Sequence, residues 1–233
     1  MIRRAIIVGL LAAACASESP LPTPPGGEET YTMDDYTLRP RVGTSTTLRY
    51  ISRDISAEGD TVTTTLFDYR FTVVDTAFVL RADTVCLAVR REKITDGVVS
   101  SVDTSYHWAG PRDLMTFERL TDMVGRRRLA LPLQPGTRFL LRDNLGPVEN
   151  NTYVIVTMRD TVPTAVTSFT NCAHVRMRAA TIDSAGETVF ADEVWLAPYH
   201  GVVRQVQTRT YTPTGSDRLI TTILEFILVD RSN

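Results

Sequence analysis

The sequence predicts an all-β protein of antiparallel strands, with at most one short helix. Three observations predict it. Apolar and polar residues alternate with a period of two in several segments, the chain holds 33 threonines, and glycine-containing turn signals separate the alternating runs. The 233 residues, 43% hydrophobic and 22% charged, suit one globular body with a leader rather than two domains. A formal charge of −2 with a single lysine among 25 basic residues gives no basic excess for nucleic acid, so no nucleic-acid partner is expected.

Residues 1–14 start with Arg3 and Arg4, continue through the apolar run Ala5 to Leu11 and end in Ala12-Ala13-Ala14. This is the pattern of a secretory signal peptide, since the run is well short of the roughly 20 apolar residues a membrane span needs. Leu11-Ala12-Ala13-Ala14-Cys15 resembles the lipobox of bacterial lipoproteins, with Ala12 where leucine is usual. The resemblance implies lipidation at Cys15, which becomes the first residue of the mature chain. It also implies attachment to a membrane of the cell envelope. Ser17 stands after Ala16 where an aspartate would favour the inner membrane, so the outer membrane, facing the periplasm, is the expected address. Residues 15–29 then form a linker: Ser19 to Glu29 is rich in proline and glycine and cannot bury a core.

The body, residues 30–233, reads as eight to eleven strands. Phe67, Tyr69, Phe71 and Val73 alternate with Asp68, Arg70 and Thr72, and the same rhythm marks Val85-Leu87-Val89, Tyr153-Ile155 and Val202-Arg204-Val206. From Arg218 to Asp230 both alternate sets are apolar, which predicts a central strand covered on both faces. Turns are expected at Glu58-Gly59-Asp60, Asp96-Gly97, Ser184 to Glu187 and Pro213 to Ser216. Pro111 to Val124 fits a short helix through Leu114, Phe117, Leu120 and Val124 and fits a strand equally well. Gly43-Thr44 with Leu48-Arg49 is echoed by Gly136-Thr137 with Leu141-Arg142, each after a proline and each opening a strand.

The segments Leu131 to Phe139, Val162 to Val175 and Val194 to Arg204 resemble three consecutive signatures of TapB-like periplasmic lipoproteins, which are similar in fold to the LolA/LolB-type half-barrel carriers. The resemblance spans about residues 36–230 and departs at Tyr199, where glycine is usual, and at Thr46 and Phe139, positions often held by tryptophan. It implies a curved antiparallel sheet forming an incomplete half-barrel with an apolar concave face; it does not imply a reaction.

Chemical motifs are sparse. His107, His174 and His200 lie on separate segments, so neither a nucleophile elbow nor a zinc pattern forms, and no catalytic residue, metal or cofactor is expected. Cys172 and His174 share a strand face, yet a mid-strand cysteine is ordinarily a buried hydrophobe. Whether Cys86 and Cys172 form a disulfide is left open by the sequence. His200 is expected at a solvated hairpin tip, Arg126-Arg127-Arg128 in a solvated turn, and residues 143–151 in a plain loop. A long-stranded sheet with an apolar face and so little helix to cover it either fills itself or leaves a cavity. The expected function is therefore non-enzymatic binding of a lipid or other apolar ligand, with Phe67, Tyr69, Phe71, Tyr153, Ile155 and Trp195 facing it. The alternative is a structural or assembly lipoprotein that binds a protein partner in the envelope.

Overall fold

The computed structural model describes residues 31–81, 84–122, 125–141, 152–216 and 219–232. The expected signal peptide, Cys15, the linker and the 143–151 stretch lie outside the described residues. The strands are β1 (Ser45–Ile55), β2 (Thr61–Arg81), β3 (Thr84–Thr95), β4 (Val98–Ala109), β5 (Asp113–Phe117) and β6 (Arg126–Ala130), then β7 (Arg138–Leu140), β8 (Thr152–Pro163), β9 (Ser168–Ile182), β10 (Gly186–Ala197), β11 (Gly201–Pro213) and β12 (Ile220–Ser232). They form one twelve-stranded antiparallel sheet in the order β6-β5-β4-β3-β2-β1-β12-β11-β10-β9-β8-β7. The chain therefore starts at the centre, meanders to one edge, crosses to the other edge and meanders back. The first and last strands meet in the middle, with Arg49 opposite Ile227 and Ser52 opposite Leu224.

The sheet curls until its edges touch without closing the ladder. At the seam the Arg127 amide donates to the Leu141 carbonyl (2.8 Å) and its guanidinium to the Leu140 carbonyl (2.8 Å). Leu114 and Leu129 from one edge pack in a single core with Phe139, Ile155 and Val175 from the other. The half-barrel expected from the sequence is thus an open sheet rolled nearly shut. Bulges in β1, β2 and β8 supply the bending, because an extra residue on one strand increases its local twist.

The turns fall where glycine punctuates the alternation. At Asp96-Gly97 both residues have positive φ (52° and 77°), the backbone that matches the right-handed twist of the flanking strands. The Pro111–Val124 ambiguity resolves to the strand β5, since pairing with both β4 and β6 outweighs a weak three-to-four spacing. Among the described residues the one helical turn is the 3-10 segment Asp34–Tyr36. β12 is central, as its sequence suggests, but only Glu225 and Leu228 are buried along it. Double apolar faces on this strand mark central position more than full cover.

The Gly-Thr echo has a structural counterpart. Gly43 donates to the carbonyl of Val73 and Val73 donates back to Thr44 (both 2.9 Å). Likewise Gly136 donates to Ile155 (2.8 Å) and Ile155 to Thr137 (2.9 Å). Both glycines sit at φ of about +90° and both acceptor residues are fully buried. Each pair thus leads into the first strand of a six-stranded half. The third strands also match, Thr84-Val85-Cys86-Leu87-Ala88-Val89-Arg90 in β3 against Thr170-Asn171-Cys172-Ala173-His174-Val175-Arg176 in β9.

Candidate functional site

Inside the curl, against the first half of the sheet, lies a cavity of about 280 Å³. Its volume stands just under the roughly 300–1,000 Å³ of typical small-molecule sites. Alternation sets which residues reach it. On β1 and β2 the inward set is Thr46, Leu48, Tyr69 and Phe71, joined across the sheet centre by Phe226 of β12. These make its apolar wall. On β3 to β5 the cavity lining is mostly polar, Arg91, Ser105, His107 and Thr116, with Leu114 of β5 beside them. Gln205 and Gln207 of β11 add amides.

The lid is the segment ahead of β1. Tyr36, Thr37 and Leu38 cross the concave face, and Leu38 forms an isolated bridge with His200 in the β10–β11 turn. Arg39 donates its amide to the Tyr199 carbonyl (3.0 Å), and the Tyr199 amide donates to the Asp35 carbonyl. The Tyr36 hydroxyl, pushed far up by burial, donates to the Asn171 carbonyl (3.3 Å). Tyr199 takes the left-handed backbone (φ 64°) at the very position where glycine is usual in the resembled signature.

The electrostatics of the lining are unequal. Arg91 is held by Asp103 (Nε to Oδ1, 2.8 Å) and Glu118 (Nη1 to Oε2, 3.0 Å). β6 splits the arginine triplet by its period of two. Arg127 turns away from the cavity to Asp113 (Nε to Oδ1, 2.6 Å), while Arg126 and Arg128 line the cavity. The expectation of a solvated turn at these arginines is corrected. They form a strand, and no side-chain hydrogen bond or ion pair to a described residue engages Arg126 or Arg128. Burial pushes the Arg128 guanidinium below its ordinary range, the largest of its influences, with Glu118 opposing. His107, its Nε2 3.1 Å from the Ser105 hydroxyl, is lowered to about 4 by burial and by Arg128 and Arg91. It is neutral near pH 7. His200 is also lowered to about 4, by burial first and then Arg231 and Arg39, and its ring lies 4.8 Å from Phe169. It is a half-buried part of the lid contact, not a solvated tip.

The six residues expected at a ligand divide. Tyr69 and Phe71 line the cavity. Phe67 lies beside them in an aromatic row, its ring 4.9 Å from Tyr69 and 4.6 Å from Tyr50. Tyr153 and Ile155 are buried in the core of the second half and Trp195 packs in a separate cluster, none of them on the cavity. Trp195 alternates with the inward Val194 and Leu196, so it serves the other side of β10. There it stacks on His174 (4.4 Å) and donates to Asp160 (2.7 Å), with the Arg204 guanidinium over its ring. The sequence places these three at the ligand, but large apolar residues in alternating strands do not tell a packed interior from an open one. Conversely, Ser105, His107, Arg126 and Arg128 were missed. Their signal was present as polar residues two apart in strands, but the contiguous charge of the triplet hid it.

Cys86 and Cys172 are free and six strand positions apart in the sheet. Burial raises the Cys172 thiol to about 12 and the Cys86 thiol to about 11, so neither is a thiolate near neutrality. Among the described residues no group of three or more metal-ligating side chains forms, and no helix is long and apolar enough to cross a membrane.

No family model and no curated protein matches the chain. Among solved structures it is similar to a presumed exported protein with YmcC-like fold from Bacteroides fragilis (TM-score 0.51, 14% identity, covering 84% of this chain and 98% of that one). A presumed lipoprotein from Parabacteroides distasonis aligns with TM-score 0.42 and 9% identity over 84% of this chain and 97% of its own. The first similarity shows the fold. TapB or LolA likeness is not among what these comparisons found.

Proposed function

We propose that the chain is a bacterial envelope lipoprotein, anchored through Cys15 and outer-membrane in location, that binds a small lipid or other apolar ligand inside its curled sheet and catalyses no reaction. The observation that carries this reading is the 280 Å³ cavity beneath the Tyr36–Leu38 lid, with Leu48, Phe71 and Phe226 on its apolar side. Leaving such a wall uncovered forgoes about 25 cal/mol per Å² of apolar burial, a cost that a bound apolar group removes. The presumed export of the Bacteroides protein that shares the fold supports the envelope setting. The cavity is too small for a whole diacyl lipid, so one chain or a compact molecule is the occupant. The test is titration of the full chain carrying Cys15→Ser with an environment-sensitive apolar dye. Saturable enhancement, weakened by Phe71→Ala and by Phe226→Ala, is the expected result; a flat titration rejects the reading.

The assembly alternative draws on a different surface. Val98, Val99 and Val102 at the outer end of the β3–β4 hairpin are 68%, 45% and 57% exposed, apolar positions that a protein partner in the envelope would cover. Cross-linking in the envelope from residue 102 to one protein, lost when Val99→Ser is added, is the outcome that favours it.

A further inference from the structure

The chamber is amphipathic, and its polar side carries an imbalance. Three arginines and one glutamate line it, the glutamate being occupied by Arg91. Arg128 is half-buried and lines the cavity, its side chain without a hydrogen bond or ion pair to a described residue. Arg126 is exposed and also lines the cavity, so it stands where the chamber meets solvent. A guanidinium presents five donors in a planar fork and is costly to enclose unless an anion meets it. The neighbouring carboxylates act on Arg128 through space while their hydrogen bonds go elsewhere: Glu118 accepts from Arg91, and Asp192 accepts from the Tyr153 hydroxyl and the Gln205 amide (2.8 Å). The wall of Leu48, Phe71 and Phe226 lies on β1, β2 and β12, four to six places from β6 in the strand order, with Leu114 of β5 also on the cavity, so one chamber offers both a charged and an apolar lining.

We infer that the ligand is a single-chain amphiphile with an anionic head, a fatty acid or an alkyl phosphate, its head against Arg128 and Arg126 and its chain along Leu48, Phe71 and Phe226. This inference rests on the ligand-binding reading above and names its chemical class. The small volume selects one chain over two, and cations whose side chains have no partner among the described residues select an anion over an alcohol or an ammonium head. A charged hydrogen-bonding head also fixes the direction of insertion, with the chain inward and the anion nearest Arg126.

The experiment displaces the bound dye from the Cys15→Ser chain with dodecanoate, dodecyl phosphate, dodecanol and dodecyltrimethylammonium, with inorganic phosphate as a head without a chain. Dodecanoate or dodecyl phosphate, whichever head the fork prefers, displaces at concentrations at least tenfold below dodecanol, and inorganic phosphate does not displace. Arg128→Gln abolishes that tenfold advantage and leaves dodecanol unchanged; Arg128→Lys, which keeps the charge, retains part of it. Arg70→Gln, on the opposite side of β2 from Tyr69 and Phe71, changes nothing. Equal displacement by acid, phosphate ester and alcohol, insensitive to Arg128→Gln, overturns the anionic head while the apolar-ligand reading stands. Absence of dye binding itself removes both. Displacement by inorganic phosphate alone marks a free-anion site and overturns the amphiphile.

Discussion

The two halves of the sheet, β1–β6 and β7–β12, begin alike and end differently. Both start from a Gly-Thr pair hydrogen-bonded to a buried aliphatic residue, and both carry Thr-x-Cys-x-x-Val-Arg on the third strand. Register then allows a residue-by-residue comparison. In the first half Val89 faces Ser105, Leu87 faces His107 and Arg91 faces Asp103. In the second Val175 faces Val194, Ala173 faces Leu196 and Met177 faces Asp192. Polar inward residues in one half stand where apolar ones stand in the other. The second half packs Ile155 and Val175 almost completely; the first supplies most of the cavity's lining, with Leu196, Gln205, Gln207 and Phe226 of the second on its border. One backbone plan thus supplies a core and a chamber, and the choice is made by a few inward side chains on β3, β4 and β6.

The sharpest way to break this comparison is to exchange residues across it. Met177→Arg forces a bulky cation into the filled half, where the facing Asp192 already accepts from Tyr153 and Gln205, and is expected to lower stability by about 3–5 kcal/mol. The reciprocal Arg91→Met, in the open half with partly exposed partners, should cost within about 1 kcal/mol. Urea midpoints of the two variants check this, and equal losses would mean the halves do not differ in packing. Next in size, Gly43→Ala and Gly136→Ala should each cost about 1–2 kcal/mol. The cause is the left-handed backbone alone, because a Cβ at either site meets nothing within 4 Å. Unequal losses would end the equivalence of the two Gly-Thr turns.

A smaller effect distinguishes the chamber by pH. The folded state holds His107 at about 4 against an ordinary value of 6.5. Between these values the unfolded chain binds the extra proton, so stability from this group is complete above pH 6.5 and is lost as pH falls toward 4. His107→Gln should make the acid-side decline in melting temperature shallower over that window. An unchanged slope would place the histidine in a solvated setting instead.

Much of the fold was legible because strands announce themselves locally. The alternation of Phe67 to Val73, the Asp96-Gly97 turn and the doubly apolar run before Asp230 each depend on neighbours in sequence, and each lies where it was expected. The site was less legible. Tyr69, Tyr153 and Trp195 look equivalent as aromatic residues in alternating strands, yet one faces a cavity and two face packed neighbours, a distinction made by strands distant in the chain. The cover was also hidden, since residues 31–38 have no periodicity and gain their role from the Leu38–His200 bridge and the Asp35–Tyr199 contact. Arg126 and Arg128 were concealed by Arg127 between them, because a run of one charge shows no alternation until a strand imposes it.

The central claim, that the first half keeps open what the second half fills, is tested most directly by writing the second half's residues into the first. Arg91→Met, Ser105→Val and His107→Leu together carry Met177, Val194 and Leu196 onto their counterparts. Native mass spectrometry of the Cys15→Ser chain mixed with dodecanoate then reads occupancy, with a urea midpoint confirming that both proteins fold. One bound dodecanoate in the parent chain and none in the triple variant is the predicted result; equal occupancy in the two, or none in the parent, would contradict it.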